Sequence, residues 1–90
     1  MQISFSRKFV KHYEKAVKKI KNAFQERLEL FRLDPFHPLL NNHQLTGQFR
    51  GFRSINITGD WRAIFSEYIT DTGKKVIIFE IIDTHSNLYK

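Results

Sequence analysis

The sequence contains no cysteine, and it has no uninterrupted apolar run of the length that crosses a membrane. The absence of cysteine excludes disulfide bonds and thiolate metal sites, so the fold has to rest on apolar packing, which suits a reducing compartment. A membrane-spanning helix needs about 20 apolar residues in succession, and the N-terminus also lacks the apolar segment of a secretion signal. We therefore expect a cytoplasmic protein that neither crosses a membrane nor is secreted.

Repeats and low-complexity segments are also missing, which excludes a solenoid and argues against disorder. The chain has 90 residues, enough for one small core but too few for two. Nine phenylalanines supply large apolar side chains for that core. We expect a single globular domain over residues 1–90.

Acidic residues are outnumbered by basic ones, 9 against 15, which gives a net charge of +6. Such an excess favours an anionic partner such as nucleic acid, a membrane surface or an acidic protein. The lysines at 18–21 are typical of a solvated helix surface. Arg50, Arg53 and Arg62 differ, because they fall in the strand-rich half, where a planar guanidinium can grip a phosphate through two hydrogen bonds.

The first third of the chain shows helical periodicity after a short strand. Residues 2–5 alternate polar and apolar side chains, which predicts a strand, and Ser6 can cap the helix that follows. An apolar stripe then runs from Arg7 to about Leu33. One helix of that length is unusual in so small a domain, so we expect a break within "AVKKIK" at 16–21 and a helical hairpin. The prolines at 35 and 38 end the second helix.

The second half predicts three strands, at about 49–57, 61–69 and 75–83, joined by turns that contain glycine and aspartate. The expected fold is α+β, with element order β-α-α-β-β-β and a helical hairpin packed on one face of an antiparallel sheet. Helices on one face leave the other partly open. The alternation of side chains along the strands places Asn56 and Arg62 on this less covered face.

Two segments of the predicted sheet carry a family resemblance. They are "HQLTGQFRGFRSINITGDWRAIF" at 43–65 and "EIIDTHSNLY" at 80–89. With the basic charge and the element order, they resemble the RelE/ParE superfamily of type II toxins, and within it the YafQ-like branch. The resemblance implies a toxin that cleaves mRNA, usually on the ribosome, and that a cognate antitoxin protein holds inactive.

The resemblance also implies which residues form the site. The branch's pattern of His, His, Asp and His falls on His43, Asn56, Asp60 and His85, and its final aromatic position falls on Tyr89. Asn56 departs from the pattern, because an amide can form hydrogen bonds but cannot exchange a proton near neutral pH. Another matching position is Arg62, which coincides with an arginine that the RelE branch uses against the scissile phosphate.

The chemistry of RNA cleavage gives independent reasons for these residue types. Without a metal ion or other cofactor, the ribose 2′-OH attacks the adjacent phosphorus, so one group must accept a proton and another must donate one. His43 and His85 suit these roles, with Asp60 as the acidic neighbour that separates their protonation states. Arg62 can stabilise the added negative charge, so the predicted catalytic set is His43, Asp60, Arg62 and His85. The residues predicted to bind RNA are Arg50, Arg53, Asn56 and Tyr89.

Each of these residues also has an ordinary structural interpretation. Asp60 can be a turn former after a glycine, His43 an exposed loop residue, and His85 a residue that caps or packs after a strand. His12 and His37 match no motif, and we interpret them as a helix-surface residue and a loop residue. The four histidines show no close ligand spacing and no carboxylate cluster, so we expect no metal site.

Two other functions remain open at this stage. A ParE-like member of the superfamily would inhibit DNA gyrase through protein contacts and would not need His43 or His85. A noncatalytic member would bind RNA without cleaving it, which the departure at Asn56 keeps in view.

Overall fold

A computed structural model describes all 90 residues as five strands, three helices and two short 3₁₀ turns. The elements in chain order are β1 (Gln2–Phe5), α1 (Arg7–Lys15), α2 (Lys18–Leu33), a 3₁₀ turn (Pro38–Leu40), β2 (His43–Gln44), a 3₁₀ turn (Gly47–Phe49), β3 (Arg53–Asn56), β4 (Trp61–Ile69), β5 (Lys75–Thr84) and α3 (His85–Leu88). No helix is long and apolar enough to cross a membrane.

The helical hairpin forms where the sequence predicts it. The Ser6 hydroxyl accepts a hydrogen bond from the Phe9 N–H at 3.0 Å and so caps α1. Ala16 and Val17 have extended backbones, which separates α1 from α2 inside the predicted segment. At the far end, α2 stops at Leu33, just before the Asp34-Pro35 pair.

The five strands form one sheet in the order β1-β5-β4-β3-β2. The predicted α+β class is confirmed, but the prediction of a wholly antiparallel sheet is wrong for one pair, since β1 runs parallel to β5. The reason is the connection: only a tight turn forces neighbouring strands to be antiparallel, and most of the chain lies between these two strands.

The predicted strand at 49–57 is shorter than expected. Residues 47–49 form a 3₁₀ turn, and Gly47 and Gly51 have φ angles of +65° and +95°, which few other residues adopt without strain. The strand therefore begins only at Arg53. The two residues of β2 pair with β3 and were not predicted as a strand.

The two faces of the sheet are covered unequally. Thirteen buried residues, including Phe24, Phe31 and Phe79, form the main cluster between the helices and one face. The other face has a cluster of only three buried residues, Leu45, Ile64 and Leu88, which the 3₁₀ turn at 47–49 and α3 help to cover. The second face is therefore the one with room for a ligand.

Candidate active site

Arg62 lies in a row of polar side chains on the thinly covered face. It stands opposite Asn56 of β3 on one side and Asp83 of β5 on the other. Directly opposed residues of antiparallel strands project to the same face. Ile64, two residues along β4, packs in the small cluster of that face, which places Asn56 and Arg62 where the alternation in the sequence predicts them.

The guanidinium of Arg62 organises the turn between β3 and β4. Its Nη1 donates to the carbonyl oxygens of Thr58, Gly59 and Trp61 at 3.1, 3.2 and 3.0 Å. No carboxylate lies within ion-pair distance of it. Nε and Nη2 make no hydrogen bond within the protein, so Arg62 keeps an unneutralised charge and two donor nitrogens for a ligand.

Asp60 joins this turn to the C-terminal part of the site. Its backbone carbonyl accepts a hydrogen bond from the His85 N–H at 2.8 Å. Its carboxylate is exposed and forms no ion pair. The turn-forming role considered for Asp60 is thus real, and it leaves the carboxylate free beside the start of α3.

The single helical turn α3 presents His85 and Tyr89 together. Their rings lie 4.8 Å apart, and Tyr89 also makes an edge contact with Phe49 at 5.6 Å. Both residues are exposed, whereas Leu88 between them is buried and anchors the turn. Gln48 further fixes the end of α3, because its Nε2 donates to the Leu88 carbonyl at 2.8 Å.

His43 lies on the same face but does not touch the other candidates. It pairs with Ser54, and its neighbour two residues on, Leu45, packs in the small cluster. Ser54 in turn pairs with Ile64 of β4, so His43 lies two strand spacings from Ile64. Asp60 lies four residues before Ile64, which places the backbones of His43 and Asp60 about 16 Å apart. His43 therefore shares the thinly covered face with Arg62 but lies at some distance along it from the contact between Asp60 and His85.

The hydrogen bonding of His43 indicates which of its ring nitrogens is free. Its Nδ1 lies 2.7 Å from the Asn41 carbonyl oxygen. A carbonyl oxygen can only accept, so Nδ1 carries a hydrogen and Nε2 is the nitrogen free to exchange a proton with a ligand.

The other two arginines lie elsewhere. Arg53 stands opposite Phe65, a residue of the main core, and so belongs to the helix-covered face. Its Nε donates to Asn42 Oδ1 at 2.8 Å, and its guanidinium lies over the Phe36 ring. Arg50 is exposed and makes no hydrogen bond or ion pair through its side chain, and it lines a polar cleft with Arg53. The structure therefore does not place Arg50 or Arg53 next to Arg62.

Asn56 has the one buried side-chain polar atom that lacks a partner, Oδ1. It lies beside Arg62 in the polar row. An amide held in this way can position a ligand through its Nδ2, but it has no proton to transfer. No group of three or more His, Asp or Glu side chains is arranged to hold a metal ion.

Sequence reasoning missed three residues that shape the site, Gln48, Phe49 and Asp83. Phe49 belongs to the segment predicted as strand and Gln48 to the loop just before it, which hid their approach to α3. Asp83 could have been noticed, since Asp and Thr before a helical turn are typical capping residues.

Comparison with known proteins identifies the chain by family. The family described as the bacterial toxin of a type II toxin–antitoxin system, YafQ, matches residues 1–90, the whole chain. No curated protein matches its sequence significantly.

Solved structures of toxins share the fold over nearly the full length. YafQ from E. coli strain BL21(DE3) is 25% identical with a TM-score of 0.77, covering 99% of this chain and 98% of that one. The toxin in the E. coli DinJ–YafQ toxin–antitoxin complex is 26% identical with a TM-score of 0.75, covering 99% and 97%. A YoeB/ParE toxin from Agrobacterium tumefaciens, 16% identical with a TM-score of 0.74 and coverage of 94% and 99%, shows the likeness of the fold alone.

Proposed function

The chain belongs to the YafQ family of bacterial type II toxins, and on this premise we propose that it is an endoribonuclease that cleaves mRNA without a metal ion. Its substrate would be mRNA on the ribosome, in the cytoplasm, and cleavage would stop translation. The observation that carries the proposal is the joining of Asp60, Arg62 and His85 at one end of the thinly covered face.

In this mechanism the ribose 2′ oxygen attacks the adjacent phosphorus and the bond from phosphorus to the 5′ oxygen breaks. One imidazole accepts the 2′-OH proton, and the other donates a proton to the leaving oxygen. The products are a 2′,3′-cyclic phosphate and a 5′-OH, so atoms and protons balance. His43 and His85 fit these roles because both imidazoles are exposed, and His43 lies on the face that carries Arg62.

Arg62 and Asp60 supply the electrostatics of the proposed reaction. Nε and Nη2 of Arg62 are free to bind the phosphate, where added negative charge develops in the transition state. Asp60, joined to His85 through its backbone carbonyl, places a negative charge at that end of the site. Tyr89 would stack on a base or ribose, and Asn56 would orient the ribose through its Nδ2.

A cognate antitoxin is the expected protein partner. The DinJ–YafQ structures pair a toxin of this fold with its antitoxin, and the net charge of +6 favours an acidic binding segment. If the proposal holds, expression of the chain alone should arrest growth, and co-expression with the product of an adjacent antitoxin gene should restore it.

The direct test is cleavage of mRNA on programmed ribosomes, with a chelator present and no added metal. Cleavage that survives the chelator and yields a cyclic phosphate end is the expected result. Binding of RNA with no cleavage would instead indicate a noncatalytic member. Inhibition of DNA gyrase without any effect on RNA would favour the ParE-like function, although the exposure of both histidines gives that alternative no support.

A further inference from the structure

Asp83, the residue before the last of β5, lies outside the predicted set of site residues but contacts the start of α3. Its Oδ1 accepts hydrogen bonds from the Thr84 N–H at 2.7 Å and from Asn87 Nδ2 at 2.9 Å. Its Oδ2 lies 3.7 Å from Nδ1 of His12 in α1. Both carboxylate oxygens thus face groups of the protein itself.

The position of Asp83 in the fold explains why His12 of α1 lies close to it. β1 ends beside Phe79, and α1 begins there, with Ser6 bonded to the backbone of Phe79 and Glu80. α1 therefore runs along the part of β5 that β1 does not pair. His12 of α1 therefore lies next to Asp83, and α3 begins two residues after Asp83 along the chain.

A helix of four residues cannot hold its shape by backbone hydrogen bonds alone, because a first turn is unfavourable to form in isolation. α3 depends on what holds its ends. Leu88 and Gln48 fix the C-terminal end, whereas Thr84 and Asp83 hold the N-terminal end, from which the His85 side chain projects.

We infer that Asp83 is a positioning residue for catalysis, one that orients His85 and Tyr89 by clamping the start of α3. This rests on the proposed endoribonuclease activity. Asp83 does not act on the RNA itself, since its Oδ1 accepts hydrogen bonds from Thr84 and Asn87 and its Oδ2 points towards His12 of α1. A displacement of about 1 Å at a catalytic group can lower a rate by about 100-fold, so loss of the clamp has a measurable cost.

The experiment compares Asp83→Ala with Asp83→Asn in the full chain. The asparagine keeps an oxygen that can accept from Thr84 and Asn87, so it should stay within about 3-fold of the wild-type kcat, whereas alanine should lower kcat by about 10- to 100-fold with little change in KM. Glu80→Ala is the matched control, because Glu80 is a β5 carboxylate whose side chain makes no hydrogen bond or ion pair.

A structural measurement keeps the test independent of the activity. In NMR spectra, Asp83→Ala should move the amide signals of residues 84–89 and the ring signals of His85, while Asp83→Asn and Glu80→Ala leave them in place. Asn87→Ala removes one of the two hydrogen bonds and should move the same signals by a smaller amount, in a variant that keeps the carboxylate.

The outcomes separate the two proposals. Wild-type kcat in Asp83→Ala, or a lowered kcat with unmoved signals for α3, would overturn the positioning role. If the wild type cleaved no RNA, the endoribonuclease proposal would fail, whereas the signals of α3 would still report whether Asp83 clamps it.

Discussion

Replacing Arg62 with alanine should lower both the stability of the fold and the rate of cleavage. Nη1 donates to three carbonyls of the 58–61 turn, two in partly buried surroundings and one exposed. A hydrogen bond from a charged donor contributes about 1.5–3 kcal/mol. Nη1 has only two hydrogens for three acceptors, and in the variant water can donate hydrogen bonds to the carbonyls that are left exposed. We therefore expect a decrease of about 1–2 kcal/mol in the free energy of unfolding.

Urea denaturation at constant pH measures this difference, and the slope should stay unchanged because the buried area hardly changes. For a domain of this size, a loss of that amount lowers Tm by about 5–15 °C. Arg50→Ala is the matched control, since it removes the same charge from an exposed side chain without hydrogen bonds. Arg62→Ala with the stability of Arg50→Ala would refute the structural role that we assign to the guanidinium.

The effect on cleavage should exceed what the lost stability explains. Arg62 holds the turn whose Asp60 carbonyl binds the His85 N–H, and in the proposed mechanism its remaining donors bind the phosphate. Arg62→Lys restores the charge but not the fork of donors, so it should recover RNA affinity more than kcat. Full kcat in Arg62→Ala, measured where the variant is folded, would remove this arginine from the mechanism.

Three further predictions concern single residues. His85→Gln should lower kcat by about 10²–10⁴-fold while RNA binding persists, and unchanged cleavage would exclude His85 from proton transfer. Asn56→His should change the rate only modestly if Asn56 orients the ribose, whereas a large gain would show that the chain lacks a proton-transfer group. Ser6→Ala should cost about 1 kcal/mol of stability through the lost cap of α1, measured by urea denaturation against the exposed Ser86→Ala, and equal stability of the two variants would contradict the capping role.

The fold was predictable where local signals are strong. Ser6, the apolar stripe of the helices and the proline at 35 set the helical hairpin, and the strands at 61–69 and 75–84 lie within a residue of their predicted bounds. The parallel pairing of β1 was not predictable, because it depends on contacts between residues about 75 positions apart. The 3₁₀ turn at 47–49 was missed, since a single glycine also fits the loop before a strand.

The site was predictable from alternation and resemblance only in part. The alternation of side chains predicts Asn56 and Arg62 on the open face and Arg53 on the opposite face, as the structure shows. Arg53 was nevertheless predicted to bind RNA, because a guanidinium suits a phosphate. The contact of Asp60 with His85 crosses 25 residues and has no local signal. Gln48 also reaches α3 through a contact that only the folded chain creates, whereas the contacts of Asp83 with Thr84 and Asn87 are local.

The unequal cover of the sheet explains how so small a chain can hold both a core and a site. The main cluster of 13 residues lies on one face, so most of the apolar stabilisation comes from there. The candidate site lies on the other face, whose cluster of three residues is too small to stabilise a domain but includes Leu88 of α3. Leu88 of this cluster holds the turn that carries His85, and Leu45 lies two residues from His43. Burial of Leu88 on this face therefore anchors the turn that carries His85, while the fold itself is stabilised on the opposite face.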